Sequence, residues 1–519
     1  MSEEETGTGE EISVTVPESG YTAEKTSQNR VFYEIFVGSF SDSNGDGIGD
    51  LRGIINRMDY LNDGDPKSGK SLGVEGLWLT PIFKSSSYHK YNVDDYYTID
   101  PTFGTMDDLK ELIELCHERN VLLILDLVIN HTGSGNEWFK SFSKAQRDLD
   151  DTDPYFDFYS YYRSSTGKAE AGRSYQQLPG TDLYYECNFS GQMPEGNFDN
   201  DFVRQTFLDV AKYYLDLGVD GFRFDAAKYI YYTDDKKSAE FWDWYLAELR
   251  ALKPDIYTVA EVWDGDSVVE KYYGATNCFD FTMSQASGRV AQAAKGGDVN
   301  TYMRYVSTFL DEIGEKREDA AFVPFLTNHD MDRAAGFLTE ASAQMHMAAN
   351  LYLLLPGSPF IYYGEEIGMR GSRGGASTDA NRRLAMLWGD DDTVSDPQGS
   401  TYAAKNQTDL TVQKQLPNES SLLNYYKKLL AIRRENPEIA NGKFTALALS
   451  DTKLGGFVSE YEGRTAAVLH NTTGSGLSYD LSKDPALSGK EIAYVIGQND
   501  ASLDGTTLTV GAQTSVVLR

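Results

Sequence analysis

The stretch VRQTFLDVAKYYLDLGVDGFRFD, residues 203–225, contains in one piece the unit from which the fold is read. Val203, Phe207, Val210, Tyr214 and Leu217 step by four and three, which places them on one face of a helix. Val219 to Phe224 then reads as a buried strand, and it stops at Asp225. The same rhythm extends in both directions. Upstream, the run 31–37 precedes a helix pattern through Leu51, Ile54, Ile55, Met58 and Leu61. The run 74–80 precedes Leu109, Leu112, Ile113 and Cys116, and 121–126 follows. Downstream come runs at 256–260, near Phe279, at 321–326 and near Phe360, bringing the strands to eight. Strands alternating with amphipathic helices predict an α/β fold, a parallel (β/α)8 TIM barrel.

The rhythm breaks twice. Residues 131–198, rich in Tyr, Asp, Ser and Gly, predict an inserted domain B after strand 3. Beyond the helix pattern at 421–433, short strand-like runs separated by turn residues predict a C-terminal antiparallel β-sandwich over 438–519, leaving 29–130 and 199–437 to the barrel. Residues 1–28 read as an acidic, disordered tether without the basic and apolar regions of a signal peptide.

With 519 residues, 40% hydrophobic and 24% charged, the chain has the composition of a globular protein with more than one core. No apolar run approaches the roughly 20 residues of a membrane span. A net charge of -32 argues against nucleic acid and anionic lipid as partners. Cys116, Cys187 and Cys278 are far apart and without Cys-x-x-Cys spacing, so they read as buried thiols rather than disulfides or zinc ligands.

Three acids, Asp225, Glu261 and Asp330, each stand where a strand run ends, the arrangement by which a parallel barrel assembles an active site. A pair of carboxyl groups flanking one bond is the machinery of glycosidic cleavage. The loop SDSNGDGIGD, residues 41–50, sets oxygen-bearing side chains at alternate positions with glycines between, which suits a hard cation such as Ca²⁺. An EF-hand is excluded, because the twelfth position counted from Asp42 is Gly53 rather than a bidentate Glu.

From about Val31 onward the chain resembles the α-amylase superfamily, glycoside hydrolase family 13. The motifs occur in family order: GVEGLWLTP at 73–81, DLVINH at 126–131, MPEGN at 193–197, GFRFD at 221–225, EVW at 261–263 and NHD at 328–330. The resemblance implies a retaining mechanism with Asp225 as nucleophile and Glu261 as acid and base, while Asp330 holds sugar hydroxyls. It implies that His131 and His329 bind the same sugar, that Tyr91 stacks on its ring, and that Arg223 orients Asp225. It also implies Ca²⁺ in the first loop, held by the side chains of Asp42, Asn44, Asp46 and Asp50 and the carbonyl of Ile48.

Lys228 matches a lysine that α-amylases of the family place near the sugars beyond the scissile bond, and Tyr229 departs from their usual His. Trp263 is assigned to the same acceptor side. Asn92 stands where exo-acting relatives carry an Asp that grips a terminal glucose, which argues for an open cleft. MPEGN is close to the form found in members intermediate between oligo-1,6-glucosidases and neopullulanases, which implies side activity on pullulan or cyclodextrins. The expectation is a monomeric α-amylase acting on starch and maltodextrins outside the cell or on its surface, where the tether is what a removed lipoprotein signal leaves. The rival readings are an exo-acting or transferring relative and a non-catalytic scaffold, and, for location, a cytoplasmic maltodextrin enzyme.

Overall fold

The computed structural model describes residues 11–21, 25–338, 341–375, 377–449 and 453–519. Its central sheet is a ring of parallel strands: β1 (Phe32–Ile35), β2 (Gly76–Leu79), β3 (Leu122–Leu127), β4 (Gly221–Phe224), β5 (Tyr257–Ala260) and β6 (Asn277–Cys278), with β8 (Phe360–Tyr362) beside β1. Residues 323–325 supply β7, through parallel bridges from Val323 to Phe279 and from Phe325 to Phe360, and so close the barrel. In register, Phe32 lies opposite Gly76 and Phe360, and Gly221 lies opposite Ile124 and Tyr257.

The ring interior is filled by Phe32, Trp78, Ile124, Tyr257, Val259, Phe279, Val323, Phe325 and Phe360. Glycine is required at two of these layers. A Cβ on Gly76 would lie 2.3 Å from the Phe32 ring, and one on Gly221 would lie 1.7 Å from the Tyr257 carbonyl oxygen. The outer core lies between ring and helices. Helix Asp201–Leu217 buries Val203, Phe207, Val210 and Tyr214, starts where the Asn200 side chain accepts from Phe202 N–H, and stops at left-handed Gly218. Helix Met106–Glu118 opens on a capping box between Thr105 and Asp108.

The insertion contains helix Glu137–Asp148 and an antiparallel sheet of Tyr161–Arg163, Leu183–Glu186 and Tyr175–Gln177. A bridge from His131 to Glu195 pins its two ends together, and one from Tyr159 to Gly196 ties its middle to the second end. Phe158 and Tyr159 are buried against Trp138, Phe139 and Phe142, so these two aromatics pack the core of the insertion. The C-terminal region is a five-stranded and a three-stranded antiparallel sheet, joined by a core that includes Leu447, Leu469, Leu508 and Val516.

The tether expected over residues 1–28 needs correction. Residues 1–10 and 22–24 lie outside the described residues, but 11–21 run as an extended chain along the body. Val14 N–H donates to Gly69 O at 2.9 Å, and Tyr494 Oη donates to Pro17 O at 2.8 Å. Lys25 pairs with Glu75 at 2.7 Å, and Thr26 caps the short turn Ser27–Asn29. The reason is an alternation that the acidic composition hides: Ile12, Val14 and Val16 are half-buried while Ser13 and Thr15 face solvent.

Candidate active site

Asp225 and Glu261 follow directly on the C-terminal ends of β4 and β5, and Asp330 lies in the turn that leaves the C-terminal end of β7, five residues past Phe325. Asp225 N–H donates to Leu127 O at 3.4 Å and Glu261 N–H to Phe224 O at 2.9 Å, so the ladder continues one residue past each strand and fixes both positions. Immediately after Asp225 the chain turns left-handed at Ala226, with φ 51°, a conformation costing roughly 1–2 kcal/mol in a non-glycine residue. That turn aims Ala226 N–H at Glu261 Oε2, 3.0 Å away.

Arg223 joins the acids. Its guanidinium, 1% exposed and 5.1 Å over the Trp78 ring, lies 2.9 Å from Asp126 Oδ1, 2.8 Å from Asp225 Oδ1 and 3.0 Å from Glu261 Oε2. One cation thus serves three carboxylates in a site shielded from water. Burial pushes Asp126 up to about 7 against the pull of Arg223. It also raises Glu261, where Arg223 opposes the shift and the negative charges of Asp225 and Asp330 reinforce it. Asp225 is raised by burial and pulled back by its bond to Arg223. A raised Glu261 is the condition for a carboxyl group that must arrive protonated.

Asp330 is treated differently. Burial alone would raise it, but His329 Nε2 at 3.1 Å and Arg383 Nη2 at 2.7 Å hold it well below the usual carboxylate range. His329 is itself clamped from behind, with Nδ1 2.5 Å from Glu34 Oε1 and Nε2 2.7 Å from Tyr91 Oη. The Tyr91 hydroxyl donates in turn to Asp126 Oδ2 at 2.9 Å. The Tyr91 ring lies parallel to His329 at 5.4 Å.

These groups open into a cleft of about 690 Å³ whose lining includes Asp225, Glu261, Asp330, Tyr91, His131, Lys228 and Trp263. Arg223 and His329 sit beneath its floor, both buried. His131 is held neutral, burial lowering its pKa to about 4, and its Nε2 finds no hydrogen-bond partner among the described residues. A neutral donor or acceptor left open on a cleft wall suits a hydroxyl-rich ligand. Lys228 Nζ bonds Trp263 O at 3.0 Å and Asp264 at 3.1 Å, tying the loops after β4 and β5 together. Trp263 is 42% exposed and stacks on Phe281. Tyr229 lines the wall with Phe189, their ring centroids 4.6 Å apart.

Some partners escaped the sequence reading. Arg383, which bonds Asp330, His329 O and Tyr88 Oη, lies in the long segment after β8, where no motif marks it. Thr378 and Asp379 join the lining from the same segment. Glu34 stands inside β1, where only the presence of an acid in an otherwise apolar strand marks it. Asn92, which the sequence connects with an open cleft, is 5% exposed and does not line the cleft.

The first loop is a string of side-chain caps. Asp42 Oδ1 accepts from Asn44 N–H at 3.0 Å and Gly45 N–H at 2.8 Å, Asn44 Oδ1 from Asp46 N–H at 2.9 Å, and Asp46 Oδ1 from Ile48 N–H at 2.8 Å. Asp50 caps helix Leu51–Asn56 through Gly53 N–H. Gly45 and Gly47, at φ +83° and +86°, let the loop turn this tightly. Among the described residues no three His, Cys, Asp or Glu side chains converge as a metal-binding group. The donors present are nevertheless all oxygen, the chemistry a hard cation takes. Thr393 Oγ1 bonds Asp42 Oδ2 at 2.7 Å and Ser395 N–H bonds Gly47 O at 2.9 Å, so the loop also seals the seam against the segment after β8.

Comparison with known proteins agrees with this geometry. The family described as "Alpha amylase, catalytic domain" matches residues 34–442. Alpha-amylase 3 of Dictyoglomus thermophilum is 36% identical over 95% of this chain and 93% of its own length. The oligo-1,6-glucosidase of Bacillus cereus is 27% identical over 89% and 93%. The solved structure of Eubacterium rectale Amy13B, 35% identical, superposes with a TM-score of 0.87 over 95% of this chain and 96% of that one. The chain belongs to the α-amylase catalytic-domain family, whose members hydrolyse or transfer glycosyl groups.

Proposed function

We propose that the protein is a retaining, endo-acting α-1,4-glucan hydrolase of α-amylase type, cutting starch and malto-oligosaccharides. The observation that carries the reading is that Asp225 and Glu261 sit on neighbouring strand ends, share the two arms of one guanidinium and face one cleft. Carboxyl groups this closely coupled suit the short separation, about 5–5.5 Å, of the double-displacement route. In that route Asp225 attacks the anomeric carbon as Glu261 passes its proton to the departing oxygen, and Glu261 then deprotonates the water that releases the sugar. Asp330, kept ionised by His329 and Arg383, accepts from hydroxyls of the reacting sugar, and neutral His131 bonds the same ring. Trp263 and Lys228 receive the leaving portion.

Calcium belongs to the proposal as a structural ion. Asp42, Asn44, Asp46, Asp50 and the Ile48 carbonyl would hold it, and its charge would neutralise the carboxylates that crowd the seam with Thr393 and Ser395. Side activity on pullulan or cyclodextrins, a monomeric state, and action outside the cell or at its surface complete the reading. The last follows from the size of starch, and fractionation of the native host tests it.

The test is a product time course from amylose, with pullulan and maltose in parallel, for the native protein and Glu261→Gln. Mixed oligosaccharides appearing early and vanishing in Glu261→Gln support the proposal. Glucose alone, or rapid turnover of maltose, replaces it with an exo-acting glucosidase.

A further inference from the structure

We propose that Glu34 is a positioning residue for the reaction: through its contact with His329 it keeps that imidazole a cation, so that both ring nitrogens donate and Asp330 stays an ionised acceptor for the sugar. The inference rests on the hydrolytic reading for its consequence, but its structural content stands on the geometry of β1 and the Asp330 loop.

Glu34 shares the inward face of β1 with Phe32, two residues earlier, and is 1% exposed. A carboxyl group in that place has lost its water and must be served by something else. What serves it is His329, through Nδ1 at 2.5 Å and a longer backbone contact at 3.4 Å. His329 is fully buried, with Trp78 edge-on at 5.7 Å and Phe36 at 6.4 Å. The titratable and charged groups that face it are Glu34 from β1, Tyr91 and His89 from the loop after β2, Asp126 from β3, Arg223 and Asp225 from β4, adjacent Asp330, and Arg383 from the segment after β8.

The Tyr91 hydroxyl spends its proton on Asp126, so its oxygen accepts from His329 Nε2, which also reaches Asp330. Nε2 therefore carries a proton. A second proton lies between Nδ1 and Glu34 Oε1, either on the ring or on the carboxyl group. A ring gripped at both ends by carboxylates is stabilised as a cation from two sides, whereas Glu34 has, among the described residues, this single charged partner within bonding distance. Burial works against both charges, raising Glu34 even as His329 and Arg223 pull it back, yet on the ring side Asp330 and Glu34 together outweigh burial and raise the His329 pKa to about 10.

Removing the charge of Glu34 while keeping its shape releases the second proton at ordinary pH. Asp330 then faces a neutral imidazole, and its grip on the distorted sugar weakens in the transition state more than in the ground state.

The chain has six histidines, so a protein labelled with ¹³C at the imidazole ring gives a tractable spectrum, with His329 assigned from its loss in His329→Asn. In the native protein His329 should show the imidazolium shift throughout about pH 5 to 8. The ring pKa should fall in the order native, Glu34→Asp, Glu34→Gln. In Glu34→Gln, kcat should fall by about tenfold or more with KM little changed, and the alkaline limb of kcat should move down by about one unit or more. A packing role alone would move neither the ring titration nor that limb. A neutral His329 in the native protein at pH 7, or equal ring pKa values in the three proteins, overturns the proposal. Should Glu34→Gln fail to fold, the native and Glu34→Asp titrations decide by the same rule. Because the titration is read without substrate, its failure is distinct from failure of the hydrolytic reading, which the products of Glu261→Gln report.

Discussion

Replacing Arg223 with lysine preserves the charge beneath the cleft but removes the fork. The guanidinium makes its contacts to Asp126, Asp225 and Glu261 from two separate arms. A lysine ammonium is a point charge on a flexible stem and cannot span the three carboxylates at once. With Asp126 deepest, the ammonium settles there, and Asp225 and Glu261 each lose one charge-assisted bond worth about 1.5–3 kcal/mol. At 1.36 kcal/mol per unit, each carboxyl pKa rises by about 1–2 units. The acid limb of kcat/KM, which reports loss of the Asp225 proton, and the alkaline limb, which reports loss of the Glu261 proton, should therefore both move upward. Below the native optimum, activity should drop by about 10–100-fold, with recovery as the pH is raised. The assay is kcat/KM on a chromogenic malto-oligosaccharide across the pH range, with circular dichroism to confirm the fold. A lower rate with both limbs unmoved would reduce Arg223 to a structural ion pair with no hold on either carboxyl pKa.

Three further outcomes follow from other parts of the molecule. Chelation should lower the melting temperature, calcium but not magnesium should restore it, and Asp46→Ala should abolish the response; a melting temperature indifferent to chelator after exhaustive dialysis removes calcium from the account. Trp263→Ala, which removes an exposed stacking face, should raise KM for long substrates about five-fold, roughly 1 kcal/mol, with kcat on the shortest substrates unchanged; an unchanged KM takes Trp263 off the acceptor side. Arg173 joins Glu186 at 2.9 Å to Tyr232 O at 3.1 Å, so Arg173→Met should speed proteolysis within the insertion while the barrel stays intact, and equal cleavage rates would show that the tie is idle.

What could be read from the sequence was what periodicity and local chemistry write into it. The step of Val203, Phe207, Val210 and Tyr214 is the buried face of one helix, and the acids at strand ends are found at the ends of β4, β5 and β7. What escaped was set by contacts distant in sequence. Arg383 gains its meaning from Asp330, fifty-three residues before it, and Glu34 from His329, two hundred and ninety-five residues after it. Arg383 carries no local signal that separates it from a surface charge, and Glu34 carries only its place in an otherwise apolar strand. The segment 11–21 failed for a different reason: its Ser, Thr and Glu content outweighed a period-two alternation only three steps long.

The double-displacement route requires Asp225 to form a covalent bond to the sugar. Trapping the protein with an activated 2-deoxy-2-fluoro or 5-fluoro maltosyl fluoride, followed by mass spectrometry of its peptides, addresses that bond directly. A nucleophilic Asp225 gives one glycosyl adduct, located on Asp225, that disappears in Asp225→Asn. An adduct on Glu261 or Asp126, or release of β-configured product without any adduct, would contradict it.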